Sequence, residues 1–239
     1  VKAGLEKEKA ALLVVIAALR DGSKVILAVE SGQRESTESW SAILRDLKRR
    51  GLRSPRLVVG DGHLGIWGAL ANVFPRAEEQ RCWNHRIVNI LDRVPKKKQT
   101  EARQRLTAIP YAPTKEEAED QKQDVQKWCE RNGIMEAAKL LDRDWERMVA
   151  FYGFPKEHWP HLRTTNIVES PFAQVRLRTT ASKRYKKVEN ATAVIWKTLM
   201  LAQKQFRKLR APELMSDVAK GVVYINGERI KTVEQRIAA

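Results

Sequence analysis

The chain has 239 residues, 43% of them hydrophobic, enough for one large domain, or one domain with an insertion, around a substantial core. Its 45 Lys and Arg against 29 Asp and Glu give a net charge of +16 at pH 7, and the sequence pI is 10.0. A balance this basic calls for a polyanionic partner, of which nucleic acid is the commonest. No apolar run approaches the roughly 18 residues that a spanning helix needs. Two cysteines, Cys82 and Cys129, build no disulfide framework, which points to a reducing compartment.

The longest apolar run, Ala10 to Leu19, is too short and lies too far inside the chain for a signal peptide. Asp21-Gly22 follows as a hairpin turn signal, and Val25 to Val29 as a second strand, so an antiparallel hairpin is expected. The pattern then changes period. Ser36 suits an N-cap, Trp40, Ile43, Leu44 and Leu47 recur at helical spacing, and Lys48, Arg49 and Arg50 fill the last turn before Gly51. Leu57-Val58-Val59 reads as a buried strand ending at Gly60-Asp61-Gly62, and a helix through Leu64, Trp67, Leu70 and Phe74 follows. A short segment, Glu79 to Cys82, leads into another helix from Trp83 through Ile87, Ile90 and Leu91 to Pro95.

From Lys96 to about residue 161 the sequence is charged, helical and strand-free. Residues 116–131 and 134–152 are each expected as one long amphipathic helix. The α/β pattern resumes at residue 162, with a helix through Val175 and Leu177 and a long helix from about Ala191 to Lys208. The tail, from residue 211, holds a small hairpin at Val222 to Ile230. The organisation expected is a first core part over 1–95, a helical insertion over 96–161, closing helices over 162–210 and a tail over 211–239.

Asp61 stands at the carboxyl end of a strand between two glycines, where ligands tend to bind in open α/β sheets. The plainer reading is that it caps the next helix. Glu169 lies beyond the insertion. Its plainer reading is a capping role with Asn166, although Pro171 favours Ser170 as the true cap, with Glu169 just outside the helix. Strands, helix, strand-Asp, helix, insertion and helix-Glu is an order compatible with a ribonuclease H-like mixed sheet flanked by helices. Carboxylates suit nucleotidyl transfer because hard divalent cations prefer oxygen ligands.

Three segments make this specific. Val59-Gly60-Asp61-Gly62-His63-Leu64-Gly65 resembles the second-aspartate motif of the mutator-type bacterial insertion-sequence transposases. Gln80-Arg81-Cys82-Trp83-Asn84-His85 is similar to their Cys-x-x-His signature, and Arg163 to Ser170 to the segment with the third catalytic acid. The 108-residue separation of Asp61 and Glu169 also suits their helical insertion.

The resemblance implies a DDE transposase that uses Mg²⁺ or Mn²⁺ to cleave transposon ends and join them to target DNA, working in a synaptic oligomer in the bacterial cytoplasm, at the nucleoid. Asp61 and Glu169 would be its second and third catalytic acids and metal ligands. The first is expected upstream of Val1, since no Asp ends a strand before the hairpin; Glu30 is a weak substitute. The alternative is a catalytically inactive, transposase-derived DNA-binding protein, and a third reading is a nuclease that cuts without joining. Cys82 and His85 have zinc spacing but lack a second pair, so they read as a buried pair supporting the site. His63 is read as touching the scissile phosphate or as a half-exposed residue at a helix start. Arg176, Arg178, Lys183, Arg184, Lys186 and Lys187 are candidates for the phosphate backbone of double-stranded DNA, with Lys96 to Lys98 weaker ones.

Overall fold

The computed structural model describes residues 11–32, 36–181 and 188–230. In chain order come β1 (Ala11–Ala18), β2 (Lys24–Gly32), α1 (Thr37–Arg49), β3 (Leu57–Gly60), α2 (Leu64–Val73), β4 (Glu78–Arg81) and α3 (Trp83–Leu91). A helical stretch follows: α4 (Gln99–Ala108), α5 (Lys115–Arg131), α6 (Met135–Asp142), α7 (Trp145–Val149) and α8 (Trp159–Leu162), joined in part by short 3₁₀ turns. Then come α9 (Asn166–Ala181), α10 (Val188–Gln203), α11 (Met215–Lys220) and the hairpin β5 (Tyr224–Ile225) and β6 (Glu228–Arg229). The chain is mixed α/β, as expected. Among the described residues the strands pair two by two: β1 with β2 and β5 with β6 antiparallel, β3 with β4 parallel.

The chain divides into two compact units. One holds the described residues of 1–56, 63–77 and 165–216, and the other those of 57–62, 78–164 and 217–239. In the first, the β1–β2 hairpin is covered on both faces, which explains an apolar run with little alternation. Leu12, Val14 and Ile16 face Val175, Ile195 and Leu199 of α9 and α10, while Leu13 and Val15 join Ile43 and Leu47 of α1. A register shift between Val15 and Ile16 leaves Leu27 as an extra residue on β2. It lets Leu27 and Ala28 both join the α1 side, whereas Ile26 and Val29 face the other. Helix α1 begins and ends as its sequence predicts. Ser36 accepts from the Ser39 N–H. At the other end the amides of Gly51 and Leu52 bond back to the carbonyls of Lys48 and Leu47, a Schellman motif with Gly51 at φ +100°.

The second unit is built on Trp83, 1% exposed, around which α3 to α7 pack Ile90, Leu106, Val125, Leu141 and Met148. Gln80 of β4 is fully buried and fully used. Its amide donates to the carbonyls of Arg81 and Met148 at 2.8 and 3.0 Å, and its oxygen accepts from the Phe151 N–H at 2.9 Å. The tail hairpin packs on the same unit. Asn226 and Gly227 both have positive φ, as a tight hairpin turn requires. The Gly227 N–H donates to Tyr152, and the Asn226 side chain accepts from the Lys115 N–H at the start of α5.

One expected element is corrected here. Residues 134–152 are not one helix: α6 stops at Asp142, α7 starts at Trp145, and Asp144 between them is left-handed at φ +62°. Its carboxylate is claimed by Arg81 at 2.6 Å and Arg86 at 2.8 Å, side chains some sixty residues upstream that local periodicity does not register.

Candidate active site

Asp61 emerges from the buried end of β3 exposed, and the next residue, Gly62, has φ +95°. The Cys82 N–H donates to the Gly60 carbonyl at 2.7 Å, extending the parallel ladder by one bond. Asp61 and Cys82 therefore leave β3 and β4 side by side at their carboxyl ends, where a parallel pair presents its ligand-binding side chains. The capping reading of Asp61 is not what the structure shows. The N-cap of α2 is His63, whose Nδ1 accepts from the Gly65 N–H at 3.4 Å, and His63 is exposed.

Cys82 is the residue before α3 and is fully buried, while His85, half-buried, lies in that helix's first turn. The thiol sulfur and a ring nitrogen of the pair come within 4.8 Å of each other. Behind the turn that carries Asp61 stands a feature the sequence did not reveal. A methyl group on Gly62 would lie 2.3 Å from Nε of Arg81, so the guanidinium occupies the space beside the turn. Arg81 and Arg86 are both buried and share the carboxylate of Asp144, which Arg147 also approaches at 3.3 Å; Arg147 pairs in turn with Glu79. Burial and the neighbouring Arg81 push the Arg86 guanidinium down to about 10, against the opposing pull of Asp144.

In the other unit Glu169 is exposed in the first turns of α9. The capping expectations are corrected. Ser170 is not the cap: the helix begins four residues earlier, at Asn166, and Glu169 lies inside it. Thr165 holds Glu169: its hydroxyl donates to the carboxylate at 2.5 Å while its carbonyl accepts from the Val168 and Glu169 amides. Pro171 thus sits inside the helix, where it supplies no N–H to the Ile167 carbonyl. That cost misled the expectation of a later start.

Residues 2–208 match the Mutator family of transposases. A transposase of insertion sequence element IS6120 from Mycolicibacterium smegmatis is 39% identical over 233 residues, covering 96% of this chain and 71% of that protein. One of element IST2 from Acidithiobacillus ferrooxidans is 40% identical over 223 residues, covering 93% and 75%. This chain belongs to the Mutator family of transposases. The mycobacterial IS1081 transposase of Mycobacterium tuberculosis, 31% identical over 66% of the chain, is a more distant relative. In this family member Arg176 and Arg178 lie on α9, while Lys183, Arg184, Lys186 and Lys187 fall outside the described residues. Lys96, Lys97 and Lys98 form a 3₁₀ turn at the start of the helical stretch; Lys96 and Lys97 are exposed, and Lys98, half-buried, bonds Asn132 at 2.6 Å. No helix among the described residues is long and apolar enough to cross a membrane.

Proposed function

We propose that this chain is the catalytic part of an insertion-sequence transposase on a ribonuclease H-like fold, with Asp61 and Glu169 as the second and third acids of its DDE triad. The observation that carries the reading is at Asp61: it follows a buried strand end, is exposed, and leaves the capping of α2 to His63. Family membership supports it.

The oxygen donors of Asp61 and Glu169 suit Mg²⁺ or Mn²⁺ better than the Cys82 sulfur does, so these two acids would hold the ions. Bound there, such an ion would lower the pKa of water and offset charge on the transferring phosphoryl group. The protein's own part is positional. Gly62 leaves room for the Arg81 guanidinium beside the turn that carries Asp61, and the Cys82–His85 pair secures the neighbouring strand end. His63, exposed at the start of α2, would meet the scissile phosphate. In the first step water attacks phosphorus and a strand end leaves with its oxygen. In the second, the freed 3′-hydroxyl attacks a phosphodiester of the target, and that bond's own oxygen leaves. Double-stranded DNA is the substrate, held by Arg176, Arg178, Lys183, Arg184, Lys186 and Lys187, in a synaptic oligomer at the bacterial nucleoid.

The test uses the reading frame extended upstream through the first acid. Asp61→Ala and Glu169→Ala should each abolish Mg²⁺-dependent cleavage of a transposon-end duplex while duplex affinity stays within about threefold. Cleavage surviving in either variant refutes the assignment. A wild-type protein that binds duplex but neither cuts nor joins would be a transposase-derived DNA-binding protein instead.

A further inference from the structure

The first unit carries a second concentration of positive charge, at positions other than the candidate acids and the basic stretch that begins on α9. Residues 45–56 hold six cations, Arg45, Lys48, Arg49, Arg50, Arg53 and Arg56, against the one carboxylate of Asp46, and all six are exposed. Where α1 and α2 end, an open groove of about 480 Å³ lies between the turn Gly51–Ser54 and the turn Val73–Arg76. Lys48, Arg53 and Arg76 line it, over an apolar floor of Val73 and Phe74.

The plain reading is that these cations serve the dipole of α1 and solvate its end. It accounts for Arg49 and Arg50, which pair with Asp46, and in part for Lys48, which bonds the Val73 carbonyl at 3.3 Å. It does not account for Arg53 and Arg76. Both lie beyond their helices, and no carboxylate pairs with either among the described residues. The two helix C-termini bring only about half a negative charge each, and the Schellman turn already satisfies the Leu47 and Lys48 carbonyls of α1. Three cations on a preformed wall therefore leave the groove attractive to anions. The wall is fixed by Gly51 and by Leu52, which packs on the core of α1. A methyl group on Gly51 would meet nothing within 4 Å, so this side opens to solvent.

We propose that this groove binds the phosphodiester backbone of double-stranded DNA, with Arg53 and Arg76 as its phosphate ligands and Lys48, tied to the Val73 carbonyl, as a third cation on its wall. The inference rests on the reading of the chain as a DNA-acting transposase. It assigns DNA contact to residues other than the acids and the basic residues named above. Arginine at both positions suits forked contact with phosphate oxygens, and the net charge of +16 gives the long-range attraction.

The test is anisotropy titration of the full chain against a labelled DNA duplex across a salt series. Each neutralised phosphate contributes about 0.9 to the slope of log affinity against log salt, so Arg53→Ala/Arg76→Ala should lower the slope by about 1.8. Between 50 and 200 mM salt, the variant should lose about 12-fold less affinity than wild type. Arg103→Ala/Arg131→Ala removes the same charge from exposed sites in the other unit and should leave the slope unchanged. Arg53→Lys/Arg76→Lys keeps the charge and should keep the slope, which guards against a merely misfolded variant. An equal loss in the two alanine pairs, no loss in the groove pair, or tighter groove-dependent binding of an RNA duplex overturns the inference. Wild-type protein without affinity for any DNA duplex would instead overturn the transposase reading beneath it.

Discussion

The Asp144 junction gives the sharpest test of how the second unit is held. Its carboxylate serves the buried guanidiniums of Arg81 and Arg86, whose side chains are 10% and 2% exposed, from a left-handed backbone. Breaking a buried ion pair by removing one partner costs about 3–5 kcal/mol. Asp144→Ala keeps a Cβ at this left-handed position, as the wild type does, so the loss expected is about 3–5 kcal/mol, a large part of the 5–15 kcal/mol that holds a typical domain. Asp144→Gly orphans the same charges but relieves the backbone strain, so it should cost about 1–2 kcal/mol less than alanine. Asp144→Asn keeps an acceptor and a side chain that tolerates this conformation, so it should cost least. Urea titration followed by far-UV circular dichroism reads the series, with Asp46→Ala as the control. Asp46 pairs with Arg49 and Arg50 at a site 41% exposed, where ion pairs contribute at most about 1 kcal/mol. If Asp144→Ala costs no more than Asp46→Ala, or if the order Ala, Gly, Asn is not obeyed, the network does not hold the unit together.

Two further outcomes follow from the same region. Gly62→Ala drives a methyl group into the Arg81 guanidinium at a backbone of φ +95°, and the strain should cost about 1–3 kcal/mol in thermal unfolding. Strand cleavage should fall with it, at a raised Mg²⁺ requirement, because the turn carrying Asp61 must shift; unchanged metal dependence would refute that link. Tyr152, buried and donating to the Ala112 carbonyl at 2.9 Å, has its phenol pushed up to about 12 by burial. The folded state then holds a proton that the unfolded state gives up near pH 10, so stability is intact below pH 10 and is lost from there to about pH 12, by at most about 1.4 kcal/mol per pH unit. Tyr152→Phe should unfold more easily at pH 8, by about 1 kcal/mol for the lost hydrogen bond, yet lose less than wild type between pH 10 and 12. Parallel pH profiles for the two proteins would refute the assignment.

Local signals and tertiary demands divide the chain cleanly. The first hairpin, α1 with its Ser36 and Gly51 caps, the Asp61 strand, α5 and the Asn226-Gly227 turn were all legible, because each is specified by residues within a few positions of one another. The α6–α7 break was not, since Asp144 is turned by arginines on β4 and α3. The start of α9 was misjudged for the opposite reason: Pro171 is a strong local signal for a first helical turn, and Thr165 with the buried packing of Val175 overrides it. At the candidate site, Asp61 could be singled out from its glycines, but a choice between cap and ligand needed the backbone, since histidine is a rare cap and His63 held that role. Arg81 carried no sequence signal beyond being one arginine among many.

The seating of the Asn226–Gly227 turn has a bearing on biogenesis. Tyr152 and the first amide of α5 receive their partners from residues more than seventy positions downstream. Gly227 itself fits so closely over Lys156 and Trp159 that any side chain there would collide. During translation the helical block is made early, but its last backbone groups wait in water until this turn has left the ribosome. A chain stalled or clipped before residue 224 would display a nearly complete helical block with an open seam, which is where a protease or chaperone would find it.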